Sequence, residues 1–97
     1  MERTFRVYGK DGHRQAMSFY KNSNDLKFNW EDSSCTILCQ DVTGTNDYCE
    51  VIINAESAEK CESVLDGQLY DGFFESARFG KITELVDGKE VLFLAEL

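Results

Sequence analysis

The dipeptide Asp87-Gly88 constrains the fold of this chain more than any other short segment. It lies between two β-rich runs, residues 77–86 and 89–96. Aspartate followed by glycine favours a two-residue hairpin turn, in which both residues adopt a positive φ. The dipeptide therefore predicts a β-hairpin. Its register puts three side chains of each strand on one face, namely Ile82, Glu84 and Val86 with Val91, Phe93 and Ala95.

The second strand of this hairpin contains the longest apolar run of the chain, residues 91–95. A continuous apolar run is typical of a strand that is covered on both faces. We therefore predict that it forms a central strand. The run is much shorter than the roughly 18 residues that a membrane-spanning helix needs, so we expect no membrane-embedded segment.

A first hairpin is predicted around the loop Lys10-Asp11-Gly12, which residues 3–9 and 13–20 flank. Glycine suits the left-handed position of a three-residue loop. Pairing Gly9 with His13 puts Phe5 opposite Met17. The alternate residues then share the opposite face, and this basic and aromatic set is a candidate partner-binding site: Arg6, Tyr8, Arg14 and Tyr20.

A second hairpin is predicted between residues 34–42 and 47–55, which the turn formers of residues 43–46 separate. A loop of odd length places six apolar side chains on one inward face: Cys35, Ile37, Cys39, Cys49, Val51 and Ile53. Residues 22–33 lie between the two hairpins and carry Leu26, Phe28 and Trp30 at a spacing of two. Both a short edge strand and a loop that covers the core fit this pattern.

A helix is predicted after Ser57, which is a favourable N-cap residue. Ala58, Cys61, Leu65 and Leu69 recur at helical spacing. Gly67 and Gly72 each suit a left-handed C-terminal cap. We favour Gly72, because the apolar stripe continues to Leu69.

Together these elements predict one α+β domain over residues 1–97, with an antiparallel sheet of five or six strands in three hairpins and one helix packed on one face. The chain has no proline, and we find no repeat or linker. The expected core is Phe5, Val7, Met17, Phe19, Ile37, Cys39, Val51, Ile53, Cys61, Leu65, Leu69, Ile82, Val91 and Phe93.

The four cysteines do not have the paired spacing of structural zinc sites. Cysteine is readily buried, so we interpret Cys35, Cys39, Cys49 and Cys61 as core residues with reduced thiols. His13, the one histidine, adjoins a turn and is interpreted as a surface residue. No catalytic motif is found, and we expect a protein that is not an enzyme and has no metal or other cofactor.

The charge is divided unevenly along a chain of net charge −8. Residues 1–30 carry six basic and three acidic side chains, whereas residues 31–97 carry four basic and fifteen acidic ones. An acidic surface repels duplex nucleic acid and attracts basic proteins. The candidate acidic surface consists of Glu59, Glu62, Asp66 and Asp71.

Two functions fit this pattern: a non-catalytic interaction or regulatory module with a protein partner, and an acidic mimic of nucleic acid that inhibits a DNA-binding enzyme. The N-terminus has no secretory signal, so we expect a cytoplasmic protein. The oligomeric state stays open.

Two segments carry a resemblance to a known group of proteins. They are residues 3–15, Arg-Thr-Phe-Arg-Val-Tyr-Gly-Lys-Asp-Gly-His-Arg-Gln, and residues 65–73, Leu-Asp-Gly-Gln-Leu-Tyr-Asp-Gly-Phe. They resemble small uncharacterised proteins encoded on conjugative and other mobile elements of anaerobic bacteria. The resemblance implies an accessory protein, and it transfers no active-site residue.

Overall fold

The structure is a computed structural model that describes residues 1–9, 26–38, 48–74 and 79–95. These residues form a six-stranded antiparallel sheet with one helix packed against it, which confirms the predicted α+β fold. The strands are β1 (Glu2–Gly9), β2 (Leu26–Asn29), β3 (Ser33–Leu38), β4 (Tyr48–Ala55), β5 (Phe79–Val86) and β6 (Lys89–Leu94), and the helix is α1 (Ala58–Tyr70).

The first strand of the chain lies in the middle of the sheet, whose order is β2-β3-β4-β1-β5-β6. Phe5 pairs with Val51 of β4 on one edge of β1 and with Glu84 of β5 on the other. Both edges of β1 are therefore occupied around Phe5. The predicted pairing of Phe5 with Met17 is therefore wrong, and the strand predicted over residues 13–20 lies outside the described residues.

The predicted last hairpin is confirmed from its turn as far as the pairing of Thr83 with Leu92. Beyond that pair the predicted register is wrong, because a bulge pairs Ile82 with Leu94. Val86 pairs with Lys89, and the turn residues Asp87 and Gly88 have φ angles of 53° and 79°. Two positive φ values suit the right-handed twist of the adjoining strands.

The described part of the second hairpin also has the predicted register. Cys35 pairs with Ile53 and Ile37 with Val51, so their side chains share the inward face. Residues 26–29 of the intervening stretch form β2 at the edge of the sheet, which decides between the two alternatives left open by the sequence.

Helix α1 begins as predicted, because the side chain of Ser57 accepts a hydrogen bond of 3.1 Å from the backbone N–H of Lys60. It ends at Tyr70, close to the predicted Gly72. The left-handed conformation predicted at Gly72 is wrong, since the described residues with a positive φ are Asp87 and Gly88. Gly72 has a steric role instead: a Cβ there would lie 2.8 Å from Oε1 and 2.9 Å from Cα of Gln68.

The core lies between α1 and one face of the sheet. Most of the predicted core residues in the described ranges are buried, and so are Cys35 and Cys49, which were predicted to face inward. Phe74 and Ala55 are buried in addition. Phe93 is partly buried against the core. Met17, Phe19 and Cys39 lie outside the described residues.

The prediction for residues 91–95 is wrong. Residues 91–94 belong to β6, an edge strand. Val91 and Leu92 are 50% and 62% exposed, so Val91 is not the core residue that was predicted. An apolar run indicates a strand but does not determine which position in a sheet the strand takes. The central position goes to β1, whose side chains alternate between apolar and polar.

Substitution of Leu65 and of Val91 by alanine tests this revised core. Leu65→Ala should lower the free energy of unfolding by about 2–5 kcal/mol, because it leaves a cavity under α1. Val91→Ala should change it by no more than about 0.5 kcal/mol, as is usual for surface sites. Urea denaturation followed by circular dichroism measures both, and an equal loss for the two variants would contradict the assignment of β6 to the edge.

Thiol labelling tests the burial of the cysteines. Cys35, Cys49 and Cys61 are free and fully buried, and burial raises the pKa of the Cys35 thiol to about 11. A buried, protonated thiol reacts slowly. In the native protein these three cysteines should remain unlabelled by iodoacetamide for hours, and unfolding in urea should expose them at once. Peptide mass spectrometry assigns each site, and fast native labelling of Cys49 would show that the core opens there.

Candidate functional site

Helix α1 is too narrow to cover the sheet. An α-helix with its side chains is about 10–12 Å wide, whereas the outer strands of a six-stranded sheet lie about 24 Å apart. The helix packs over β4 and β1. Among the described residues, two grooves lie beside it. We name them the β6 groove and the Trp30 groove, each after part of its outer wall.

The β6 groove is a cleft of about 470 Å³ between α1 and the last strand. On the helix side, acidic residues form its rim: Glu59, Glu62 and Asp66. Its remaining described lining is mainly apolar: Leu65, Leu69, Tyr70, Phe93 and Leu94, together with the polar Ser63. The groove therefore combines an apolar floor with a negatively charged rim.

A β-bulge in β6 supplies half of this floor. Ile82 pairs with Leu94 and Thr83 with Leu92, so Phe93 is an extra residue in the ladder. A bulge allows two consecutive side chains to point to the same side of a sheet. Phe93 and Leu94 accordingly both line the groove, where a regular strand would place only one of them.

Arg3 lies between α1 and β5, directly beneath this groove. Its Nε and Nη2 donate to the two carboxylate oxygens of Glu84 at 2.8 and 2.7 Å. Its Nη1 donates to the carbonyl oxygen of Ala58 at 3.1 Å and lies 3.4 Å from Oε2 of Glu62. The guanidinium also lies over the rings of Phe5 and Phe93. Arg3 thus joins β1, β5, β6 and α1.

The two charges of the central pair are largely withdrawn from water, since the side chains of Arg3 and Glu84 are 15% and 17% exposed. The hydrogen bonds from Arg3 lower the pKa of Glu84 below its ordinary value near 4.5. The same bonds raise the pKa of Arg3. Both groups are therefore charged near neutral pH, and Glu62 on the groove rim is partly neutralised by the shared arginine.

The outer edge of β6 borders the same groove. Ahead of the bulge, Val91 and Leu92 project from this edge strand on opposite faces and are both half exposed or more. The other edge of the sheet, β2, has only four residues and carries Lys27. Short strands and lysines are the usual protection of an open edge. In residues 91–94, β6 has no charged side chain.

The predicted site on the first strand is in part an internal network. Arg6 and Tyr8 share the face of the sheet opposite α1, as predicted, whereas Arg14 and Tyr20 lie outside the described residues. Tyr8 donates a short hydrogen bond to Glu90, and Thr83 donates another to the same carboxylate at 2.6 Å.

The charges of this network are also matched. Arg6 lies 3.7 Å from Glu50 and from Glu90, and its guanidinium lies over the ring of Tyr48. Hydrogen bonds from Thr83 and Tyr8 lower the pKa of Glu90. Both side chains are therefore engaged within the chain, although Nε of Arg6 is buried without a hydrogen-bond partner in the described residues.

The four residues of the predicted acidic surface are not all together. Glu59, Glu62 and Asp66 line the β6 groove, whereas Asp71 lines the Trp30 groove on the other flank of α1. The division follows from the helix geometry, because residues three or four positions apart share a face and Asp71 is five positions from Asp66.

Other features bear on chemistry and location. Within residues 1–9, 26–38, 48–74 and 79–95, no group of three or more histidine, cysteine, aspartate or glutamate side chains could hold a metal ion. In the same ranges, no helix is long and apolar enough to cross a membrane.

No family model, curated protein or solved structure matches this chain.

Sequence reasoning identified the acidic rim of the β6 groove but missed Arg3, Tyr70 and Leu94. The alternation of β1 places Arg3 on the same face as Phe5 and Val7, and an arginine on an inward face could have been recognised as a buried ion pair in need of a carboxylate. No local sequence pattern identified Glu84 as the ion-pair partner of Arg3. The position of Leu94 depends on the bulge, which the sequence does not reveal.

The ion pair beneath the groove makes stability dependent on pH. The pKa of Glu84 is lower in the folded state than in the unfolded state. The contribution of ionised Glu84 to the free energy of unfolding is therefore complete above the unfolded-state pKa, and it is lost as the pH falls through the folded-state pKa. Near pH 7, Glu84→Gln should therefore lower the free energy of unfolding by about 1–3 kcal/mol. The difference between the two proteins should narrow below about pH 4.5 and vanish in stronger acid, where Glu84 is itself neutral.

Urea denaturation of both proteins between pH 3 and pH 8 measures this difference. Glu59→Gln, which removes an exposed carboxylate from the same groove, serves as the control and should stay close to the wild type throughout. A constant gap between the wild type and Glu84→Gln over the whole pH range would contradict the assigned ion pair.

Proposed function

We propose that this protein is a non-catalytic interaction module, which binds an extended basic and apolar segment of a partner protein along β6. The observation that carries the proposal is the outer edge of β6, with which no described strand pairs, together with the exposed Val91 and Leu92. The resemblance to accessory proteins of mobile elements and a cytoplasmic location are compatible with this function and remain predictions.

The open edge supports strand addition by the partner. The outer edge of an edge strand presents unpaired backbone N–H and C=O groups, which an incoming strand can satisfy. Side chains of the incoming strand would alternate between the two faces. On the helix-facing side they would enter the groove floor of Phe93, Leu94 and Tyr70.

The charge of the groove supports a basic partner. Glu59 and Asp66 are exposed and make no ion pair within the described residues. Lysine or arginine residues of the partner would meet them across the groove. A second copy of this chain is a poorer occupant, because each copy has a net charge of −8 and like charges oppose association.

The second candidate function, mimicry of nucleic acid, has less support from the geometry. Mimicry needs a continuous row of carboxylates on one face. Asp71 lies on the far side of α1, and Glu62 shares its charge with Arg3. Competition by duplex DNA for a captured partner would nevertheless favour the mimic over the interaction module.

Capture and titration of the partner test the proposal. A photo-crosslinking amino acid at position 92 should capture in the host cell a protein that contacts β6, and the isolated partner can then be measured by surface plasmon resonance. Leu92→Lys should speed its dissociation by about tenfold or more, because a lysine at the edge opposes strand pairing. Glu59→Lys combined with Asp66→Lys should slow its association, and rising salt should slow association with the wild type.

Two controls distinguish binding at the β6 groove from general effects of net charge and of oligomeric state. Glu2→Lys with Glu31→Lys changes the net charge by the same amount at exposed positions away from the groove, and it should alter association less than about twofold. Light scattering determines the oligomeric state of the isolated protein. Partner binding that is unaffected by Leu92→Lys, or a wild-type dimer that Leu92→Lys converts to a monomer, would refute the proposed function.

A further inference from the structure

The Trp30 groove is a second cleft, of about 350 Å³, between α1 and the turn that joins β2 to β3. The indole of Trp30 is 46% exposed. One of its faces stacks on Phe28, with ring centroids 6.1 Å apart. The helix side of the groove includes Gly67, Gln68 and Asp71.

The carbonyl oxygen of Gly67 accepts the capping hydrogen bond from the backbone N–H of Asp71 at 3.0 Å, but no described contact requires glycine at this position. Glycine in a helix interior is unfavourable relative to alanine. Its φ is not positive, and an added Cβ would meet nothing within 4 Å, in contrast to the close approach found at Gly72. The glycine thus leaves the helix backbone bare toward the groove. Close approach of a ligand to the backbone is a common reason for glycine at such a position.

The electrostatics of the groove favour a cation. Asp71 caps the C-terminus of α1, and the last turn of the helix contains no basic residue. The negative end of the helix dipole is therefore not offset locally. Lys60 is occupied by Asp32, whose carboxylate lies 3.3 Å from its Nζ, whereas Asp71 makes no ion pair with any residue that the structure describes.

Gln68 adds a hydrogen-bond donor. It is only 8% exposed, and its Oε1 accepts from the backbone N–H of Phe73 at 3.4 Å. Its amide nitrogen donates to no other described residue. Nε of Arg6 is the one buried side-chain polar atom without a hydrogen-bond partner in the described residues, so the amide nitrogen of Gln68 is open to water, and a carbonyl oxygen of a bound peptide would replace that water.

We propose that the Trp30 groove binds an arginine side chain of a peptide segment from a partner protein. The guanidinium lies on the free face of the Trp30 ring and beside Asp71, while Gln68 donates to a backbone carbonyl of the same peptide. Tryptophan is the best aromatic partner for a cation. Arginine fits better than lysine, because its planar group stacks on a ring. The proposal does not depend on the β6 groove.

Trp30 provides a direct readout, because it is the only tryptophan of the chain. Its fluorescence is followed during titration with an acetylated hexa-arginine peptide at physiological salt. The emission should change and saturate. A hexa-lysine peptide should bind about tenfold more weakly, and a hexa-glutamate peptide should produce no change.

Two kinds of variant test the geometry, with affinities also measured by calorimetry. Gly67→Leu should raise the midpoint of urea denaturation, since leucine is the better helix former, and should weaken the hexa-arginine peptide by about tenfold or more because its side chain fills the groove. Asp71→Asn should weaken the peptide several-fold. Asp66→Asn, the matched change on the other flank of α1, should weaken it less than about twofold.

Three results would overturn the proposal. The first is an unchanged Trp30 emission at saturating peptide. The second is wild-type affinity in Gly67→Leu. The third is an equal loss in Asp66→Asn and Asp71→Asn, which would mean that the peptide binds the acidic surface as a whole.

Discussion

The pairing of β1 on both of its edges is the constraint on which the rest of the structure depends. The strand joins two hairpins that are far apart in sequence, β3–β4 and β5–β6, into one sheet. Its start is fixed by the Met1 amino group, which donates to the carbonyl oxygen of Ala55, 54 positions along the chain. Arg3 then connects it to Glu84, 81 positions along. Without β1, the two hairpins would have no shared ladder, and α1 would lose one of the two strands on which it packs.

Features that depend on neighbouring residues could be predicted from the sequence. The Asp87-Gly88 turn, the Ser57 cap and the inward face of Cys35, Ile37 and Val51 each follow from local turn, cap or alternation rules. The grouping of Glu59, Glu62 and Asp66 likewise follows from helix periodicity, whereas Asp71, the fourth residue of the predicted acidic surface, lies on the other flank of α1, and the groove itself was not predicted.

Features that depend on the order of strands could not be predicted. Apolar content suggested that residues 91–95 are central, but the lateral order is decided by which edges pair across the whole chain, and Lys89–Leu94 is left at the outside. The exposed Val91 and Leu92, the partner of Arg3 and both grooves follow from that order. The proposed binding edge, β6, is therefore the strand that local rules put in the wrong position. Its apolar sequence is typical of a central strand, but it lies at the edge of the described sheet.

The central position of the first strand also has a consequence for synthesis. A ribosome releases β1 first and β5 near the end of the described chain, so one edge of β1 has no partner while β2, β3, β4 and α1 emerge. A nascent chain that stalls after α1 carries an open strand in the middle of its incomplete sheet, and Arg3 has no Glu84 to neutralise it. Closure of the sheet is thus one of the last events of biogenesis. An unpaired strand edge is a template for pairing with another chain, so the incomplete sheet is most open to misassembly during that interval.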